Sequence, residues 1–420
     1  MKNSTSWINT NLKFLQKIFF IFLCVIIFIN KFTLSFFDPN PPLSEIAIYF
    51  MYFLYVGSIV CAVIFFYFRT LFIQLTLIAV FLVIVDVITS LFIERIGHKE
   101  FRIKQPEPYI NAEYFSKDFI DESFAQPGGW LLDKTYGGVK PNNFEGNWIN
   151  VRNNQRVTVN DSGDYLRKIY LFGGSTVYNG EVPDNFTIAS QLASLGANNF
   201  SYEVVNMGAT SIHSAQQFGR LKAEINVNDG DVIIFYDGVN DVLQRIIYDN
   251  HEGYMIGEPK KESFWIKQLR SKSKYSSILF IFYSKIIENI KETPSTLIKT
   301  SVDNYVNTLV VVNEYVKSQG ASFYHFLQPT LFTKKNLNKY EESLIEKGYP
   351  FVPTQFIQDF KRAYPLISNK LDSVEFSYSL VGVFNNLKKS PYLDFCHVAH
   401  IGNKIIAENI WNNINNELKF

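Results

Sequence analysis

Ser175 stands at the turn in "YLFGGSTVYNG", Tyr170 to Gly180, where a short apolar run breaks into Gly173-Gly174-Ser175-Thr176. Glycines on its amino side let the turn close tightly and leave the hydroxyl exposed, as a serine nucleophile requires. Near the far end of the chain, "DFCHVAHIGNKIIAENI" puts Asp394 three residues before His397. A histidine can take a serine's proton and return it to a leaving group. A carboxylate beside it can hold the ring tautomer and stabilise the imidazolium. The chemistry on offer is nucleophilic acyl transfer through a serine ester.

Rival readings of the same residues are weaker. "GGSTVYNG" lacks the Gly-Lys-[Ser/Thr] ending of a phosphate loop. His400 has no acid three positions before it, and Cys396 reads as a small buried hydrophobe rather than a thiol nucleophile. His213 reads as a loop-packing residue, and His98, His251 and His325 give no signal. No Cys/His cluster has ligand spacing, so neither a metal nor another cofactor is expected. The three cysteines, Cys24, Cys61 and Cys396, form no disulfide framework. With 40 basic against 39 acidic residues, the net charge of +1 argues against nucleic acid as the main partner.

These residues must be brought together by strands and helices. Apolar runs "KIYLFG" (168–173), "YEVVNMG" (202–208), "DVIIFYDG" (231–238) and "SFYHFLQ" (322–328) alternate with helix-like segments at Ile188–Leu195, Ala215–Ile225 and Val302–Ser318. That alternation predicts an α/β domain with a parallel sheet between helical layers. In such sheets function collects at the carboxyl ends of the strands. Those ends carry Ser175, then Asn206-Met207-Gly208, then Asp237-Gly238-Val239-Asn240-Asp241, with Asp394 and His397 following ahead of a helix.

The four blocks together, with Gly402 five residues beyond His397, resemble the SGNH (GDSL-type) hydrolase family over roughly Lys168 to Ile410. The first block has Gly-Gly-Ser-Thr where the family's naming motif has Gly-Asp-Ser. That variant resembles a membrane-anchored bacterial branch with a Gly/Asn-rich lead-in such as "GGVKPNNFEGNWINVRNNQR". The resemblance implies a three-layer α/β/α domain with Ser175 as nucleophile, His397 as base and Asp394 as its orienting acid. The oxyanion hole would comprise the Ser175 and Gly208 amides and the Asn240 side chain.

Hydrophobic residues make up 47% of the 420, and they crowd the first hundred positions. "IAIYFMYFLYVGSIVCAVIFFYF" (46–68) is long enough to span a bilayer, Thr70–Ile93 follows with one acid, Asp86, and "IFFIFLCVIIFIN" (18–30) is a shorter candidate. Asp86 reads as an acid near a helix end. Lys2, Lys13, Lys17 and Arg69 favour a cytoplasmic N-terminus and hence an extracytoplasmic remainder, although the cations of "ERIGHKEFRIK" (94–104) oppose that orientation. The expected organisation is a membrane anchor of two to three transmembrane helices over 1–100, a Pro/Gly/Asn-rich connector of turns and short strands packing on the catalytic domain over 101–164, and that catalytic domain over 165–420. A basic, lid-like insert at about 244–300 would interrupt that domain, with Lys260, Lys261, Lys267, Arg270, Lys272 and Lys274 around Phe264 and Trp265. The expected activity is a serine esterase removing acyl groups, O-acetyl first among them, from a cell-surface glycan at the bacterial inner membrane. An O-acetyltransferase working with a membrane acyltransferase partner, a lipid esterase and a non-catalytic scaffold are the alternatives.

Overall fold

The computed structural model describes residues 80–81, 106–124, 128–160, 165–196, 202–244, 293–346 and 354–415. The apolar runs before Ile93, apart from Val80 and Phe81, lie outside these residues, as does the 245–292 part of the basic insert. Among the described residues no helix is long and apolar enough to cross a membrane. The chain divides into two units, Met1–Thr89 and Ser90–Phe420. The second unit holds the sheet and all of the candidate catalytic residues.

Its parallel strands are β6 (Arg167–Gly173), β7 (Tyr202–Gly208), β8 (Val232–Asp237), β9 (Ser322–Leu327) and β10 (Ser377–Ser379). The first four match the apolar runs closely because those runs are largely buried on both faces, as covered parallel strands are. β6 is central, paired in parallel with β7 on one side and β8 on the other. β9 and β10 continue the sheet beyond β8.

Alternation along the strands sorts the core into two layers. Tyr170 and Phe172 of β6 join Ile233 and Phe235 of β8 on one face. There they pack against α6 (Ser295–Ser318) and α8 (Thr354–Leu371) through Leu309, Val312 and Phe360. Ile169 and Leu171 join Val232 and Ile234 on the other face. There α3 (Ile188–Gly196) and α9 (His400–Ile414) cover them with Leu192, Ile406 and Ile410. The expected α/β domain with helices on both faces is therefore present.

Two features depart from expectation. The sheet is mixed, because β5 (Gln155–Arg156) pairs antiparallel with β7, and β4 (Asn150–Arg152) and β3 (Phe144–Glu145) extend it further. The segment expected as a connector thus supplies one edge of the sheet. It also forms a separate hairpin of β1 (Trp130–Asp133) and β2 (Gly138–Pro141), and a short helix, α1 (Lys117–Phe124). The second departure is that Ser295–Thr300 belongs to α6 and not to the insert.

Candidate active site

β6 ends at Gly173, and the chain turns through Gly174 into a one-turn helix, α2 (Ser175–Tyr178), with Ser175 as its first residue. Amides in a helix's first turn have no intrahelical acceptor, so those of Ser175 and Thr176 are available to an anion. Gly174 is required by a neighbour. A Cβ there would lie 2.2 Å from Asn240 Nδ2, so only glycine lets that amide sit against the nucleophile's turn. Asn240 lies on α5 (Val239–Val242), directly after β8, and is held by an Nδ2 hydrogen bond to the Ile212 carbonyl at 2.9 Å. A carboxamide nitrogen has two hydrogens, and this bond uses one.

Asp394 and His397 occupy a loop just before α9. The loop is closed by the Tyr392–Val398 bridge and by the Leu393 amide donating to the His397 carbonyl at 2.9 Å. The Asp-x-x-His spacing works through this turn, since the helix begins only at His400. Asp394 Oδ1 accepts the Cys396 amide at 2.8 Å and the His397 amide at 2.7 Å. Its other oxygen, Oδ2, meets His397 Nδ1 at 2.6 Å, and His397 Nε2 meets Ser175 Oγ at 2.8 Å. The result is a continuous acid–imidazole–hydroxyl chain between residues 222 positions apart.

The electrostatics suit that chain. Burial works against the charged His397 ring, yet Asp394, with Cys396 and Glu181 adding, lifts it well above the usual imidazole value. Burial would raise the Asp394 carboxyl, but the His397 charge and the hydrogen bonds it accepts hold it below the usual carboxylate value. Cys396 is buried, and its thiol is pushed up to about 11 by that burial. Among the described residues, Asp394, Cys396 and His397 form a group whose ligand atoms lie within 4.8 Å of one another. A metal there would have to replace the Asp394–His397 hydrogen bond and strip a strongly held thiol proton, so this donor set fits an acid–base relay better.

Gly208 is the expected residue that the structure uses differently. Its amide donates to Asn206 Oδ1 at 2.9 Å, which occupies the hydrogen proposed for an oxyanion. The glycine has another reason to be there. A Cβ would lie 2.2 Å from the Tyr178 nitrogen and 2.6 Å from the Val177 carbonyl carbon, so Gly208 lets β7 press against α2. His400 donates to or accepts from Tyr114 Oη at 3.0 Å, and burial lowers its pKa. His213 is fully buried at the start of α4 (Ser214–Glu224).

One residue that sequence reasoning passed over lies in the site. Glu181, in the loop after α2, places Oε1 3.8 Å from His397 Nε2. An acid six positions past a serine carries no recognisable spacing, so no pattern announces it.

No protein-family model matches the chain, and no curated protein sequence matches it. Solved structures do. TesA aligns at 14% identity over 60% of this chain and 99% of its own, with a TM-score of 0.32. A member of the lipolytic G-D-S-L family from Veillonella parvula aligns at 10% over 59% and 98%, with a TM-score of 0.33. An acetylxylan esterase from Geobacillus stearothermophilus aligns at 13% over 61% and 95%, also at 0.33.

Proposed function

We propose that this protein is a serine esterase of SGNH type that works through an acyl-Ser175 intermediate. The observation that carries this reading is the unbroken Asp394–His397–Ser175 chain, at 2.6 and 2.8 Å, on the turn that opens α2. His397 Nε2 takes the Ser175 proton as Oγ bonds the acyl carbon, then returns it to the departing alkoxide. Water repeats the cycle on the acyl-serine and restores the hydroxyl. Asp394 keeps the proton of neutral His397 on Nδ1 and stabilises the imidazolium between steps. The Ser175 and Thr176 amides and the second Asn240 hydrogen are the donors for the oxyanion, and one such donor is typically worth about 3 kcal/mol.

The substrate we propose is an O-acyl group, O-acetyl first, on an extracytoplasmic glycan, with the catalytic unit tethered to the bacterial inner membrane. This finer part rests on the apolar runs before Ile93 and on the motif resemblance. A fluorophosphonate probe on the purified full-length protein tests the core of the reading. Labelling should fall on Ser175 and disappear in Ser175→Ala, and labelling at any other residue would overturn it. An acetyl ester supplied with and without an oligosaccharide then separates the two fates of the acyl group. Release without the acceptor supports the esterase, whereas acetyl-sugar formed only with the acceptor replaces it with a transferase.

A further inference from the structure

Glu181 is held in place with unusual care for a loop residue. Asn179, in the left-handed region at φ 55°, accepts the Ile188 amide at 3.0 Å and donates to Asn403 Oδ1 at 3.3 Å. Ser123 donates to the Gly180 carbonyl at 2.7 Å, and Tyr109 donates to the Glu181 carbonyl at 2.9 Å. The loop is therefore pinned from α1, from the turn before it and from α9, and the carboxyl is presented at one defined place.

That place is the proton-handling side of the imidazole. Oε1 lies 3.8 Å from Nε2, the nitrogen that also meets Ser175 Oγ. The distance is too long for a hydrogen bond between them, but a hydroxyl bonded to Nε2 would be within reach of Oε1. The second oxygen, Oε2, is buried and has no hydrogen-bond partner. Buried carboxylate oxygens nearly always have a donor, and leaving one without costs free energy. The nearby cation, Arg156, turns its Nη2 to Asp184 at 3.0 Å and to the Val182 carbonyl at 2.9 Å, and makes no hydrogen bond to Glu181 Oε2.

We infer that Glu181 is a specificity-determining residue that binds a second hydroxyl of a polyhydroxylated alcohol, the alcohol whose ester oxygen enters or leaves at His397 Nε2. The inference rests on the acyl-serine reading and names the class of alcohol it acts on. In the forward step the alkoxide leaves the acyl carbon and takes the proton from Nε2. In the reverse step an alcohol gives its proton to Nε2 as its oxygen bonds the acyl carbon, and Ser175 Oγ departs with that proton. In both, a neighbouring hydroxyl donates to Glu181 and fixes which oxygen faces the nitrogen. Burial raises the Glu181 carboxyl, and the nearby His397 ring and the residue's own backbone amide oppose it.

The test compares two acetate esters on the full-length protein. Nitrophenyl acetate offers no second hydroxyl, whereas an acetylated methyl glucoside offers several. Glu181→Ala should lower the ratio of kcat/KM for the glucoside acetate to that for nitrophenyl acetate by on the order of 10- to 100-fold, the scale of one hydrogen bond to a charged group. Glu181→Gln keeps an acceptor oxygen and should recover part of that ratio. A second readout is the pH profile. The groups facing His397 are Asp394 and Cys396 from its own loop, Ser175 from α2 and Glu181. Removing the Glu181 charge should move the rise in nitrophenyl acetate hydrolysis to lower pH. Equal losses on both esters, an unmoved ratio, or a native protein that cleaves nitrophenyl acetate but not the glucoside acetate would each overturn the inference while leaving the serine ester standing. If Ser175 takes no fluorophosphonate and neither ester is cleaved, both readings fall together.

Discussion

Asp394→Asn tests the relay most sharply, because the structure dictates how the substituted side chain must sit. Two amides, from Cys396 at 2.8 Å and His397 at 2.7 Å, point at Oδ1. An asparagine satisfies them only by keeping its oxygen there, which puts its NH2 where Oδ2 met Nδ1. Nδ1 must then accept, so the ring proton moves to Nε2, and Nε2 can no longer take the Ser175 proton. The lost charge adds to this. Opposite charges about 4 Å apart are worth about 4 kcal/mol at an effective dielectric near 20. The side chains keep 19% and 34% of their surface exposed, and discounting for that solvent leaves about 2–4 kcal/mol, or roughly 30- to 1000-fold. With the wrong tautomer included, kcat for nitrophenyl acetate at neutral pH should fall by about 10³- to 10⁴-fold. The melting temperature should move only a few degrees, because the oxygen still accepts both amides. Asp394→Ala should be no more damaging in kcat, since it imposes no tautomer. The relay reasoning fails if a folded Asp394→Asn protein keeps kcat within tenfold of the original.

Further outcomes can be checked on the same assay. Ser175→Ala and His397→Ala should each abolish turnover with the melt intact, whereas His400→Ala, which loses its bond to Tyr114 and its ring contacts with Tyr114 and Phe186 but none with the relay, should stay within about tenfold; reversed results for the two histidines would refute the assignment. Asn240→Ala should lower kcat by about 10²- to 10³-fold with KM little changed, since the oxyanion exists only in the transition state; an unaltered kcat in a folded protein removes Asn240 from the site. Gly208→Ala sets a methyl against the backbone of Val177 and Tyr178, so thermal melts should show a loss of about 1–3 kcal/mol, and an unshifted melt would refute the close approach. With His397 lifted chiefly through Asp394 against the cost of burial, kcat/KM should rise with pH to a midpoint above 6.5, because the base must be neutral; a midpoint below the ordinary imidazole value would refute that ordering.

The strands that carry the site were legible because they are largely buried on both faces and therefore mostly apolar. β7 falls on 202–208 as the pattern predicts, and β6 and β9 differ from it by one residue at one end. β10, in "EFSYSL", was not legible, since it is a three-residue edge strand whose side chains are only partly buried. β3, β4 and β5 are two or three residues long, too short for an alternation to register. Among the site residues, Ser175, Asp394 and His397 could be read because their types and order carry chemistry. Gly208 could be read as a glycine at a strand end, but its service to α2 depends on a backbone contact that no spacing encodes. Glu181 could not be read, because its relation to His397 depends on Tyr109, Ser123 and Asn403 holding its loop.

That last dependence gives the segment before residue 165 a part in the site. It packs on the catalytic unit through Tyr109, Ala112 and Phe119, which form one buried cluster with Ala399, the residue that precedes α9. Tyr114 meets His400, the first residue of α9, three positions after the catalytic histidine. Glu122 accepts the amides of Asn147, Trp148 and Ile149, which ties α1 to the strands that extend the sheet. The His397 loop and the Glu181 loop are thus both braced by the same stretch, one through α9 and the other through its carbonyls. A segment rich in Pro, Gly and Asn thus reaches the Glu181 loop directly, through Tyr109 and Ser123, and the His397 loop through α9. Alcohol selection by Glu181 and proton transfer by His397 would then share a single support, and the geometry between them would be set by the segment that joins the catalytic unit to the apolar N-terminal runs.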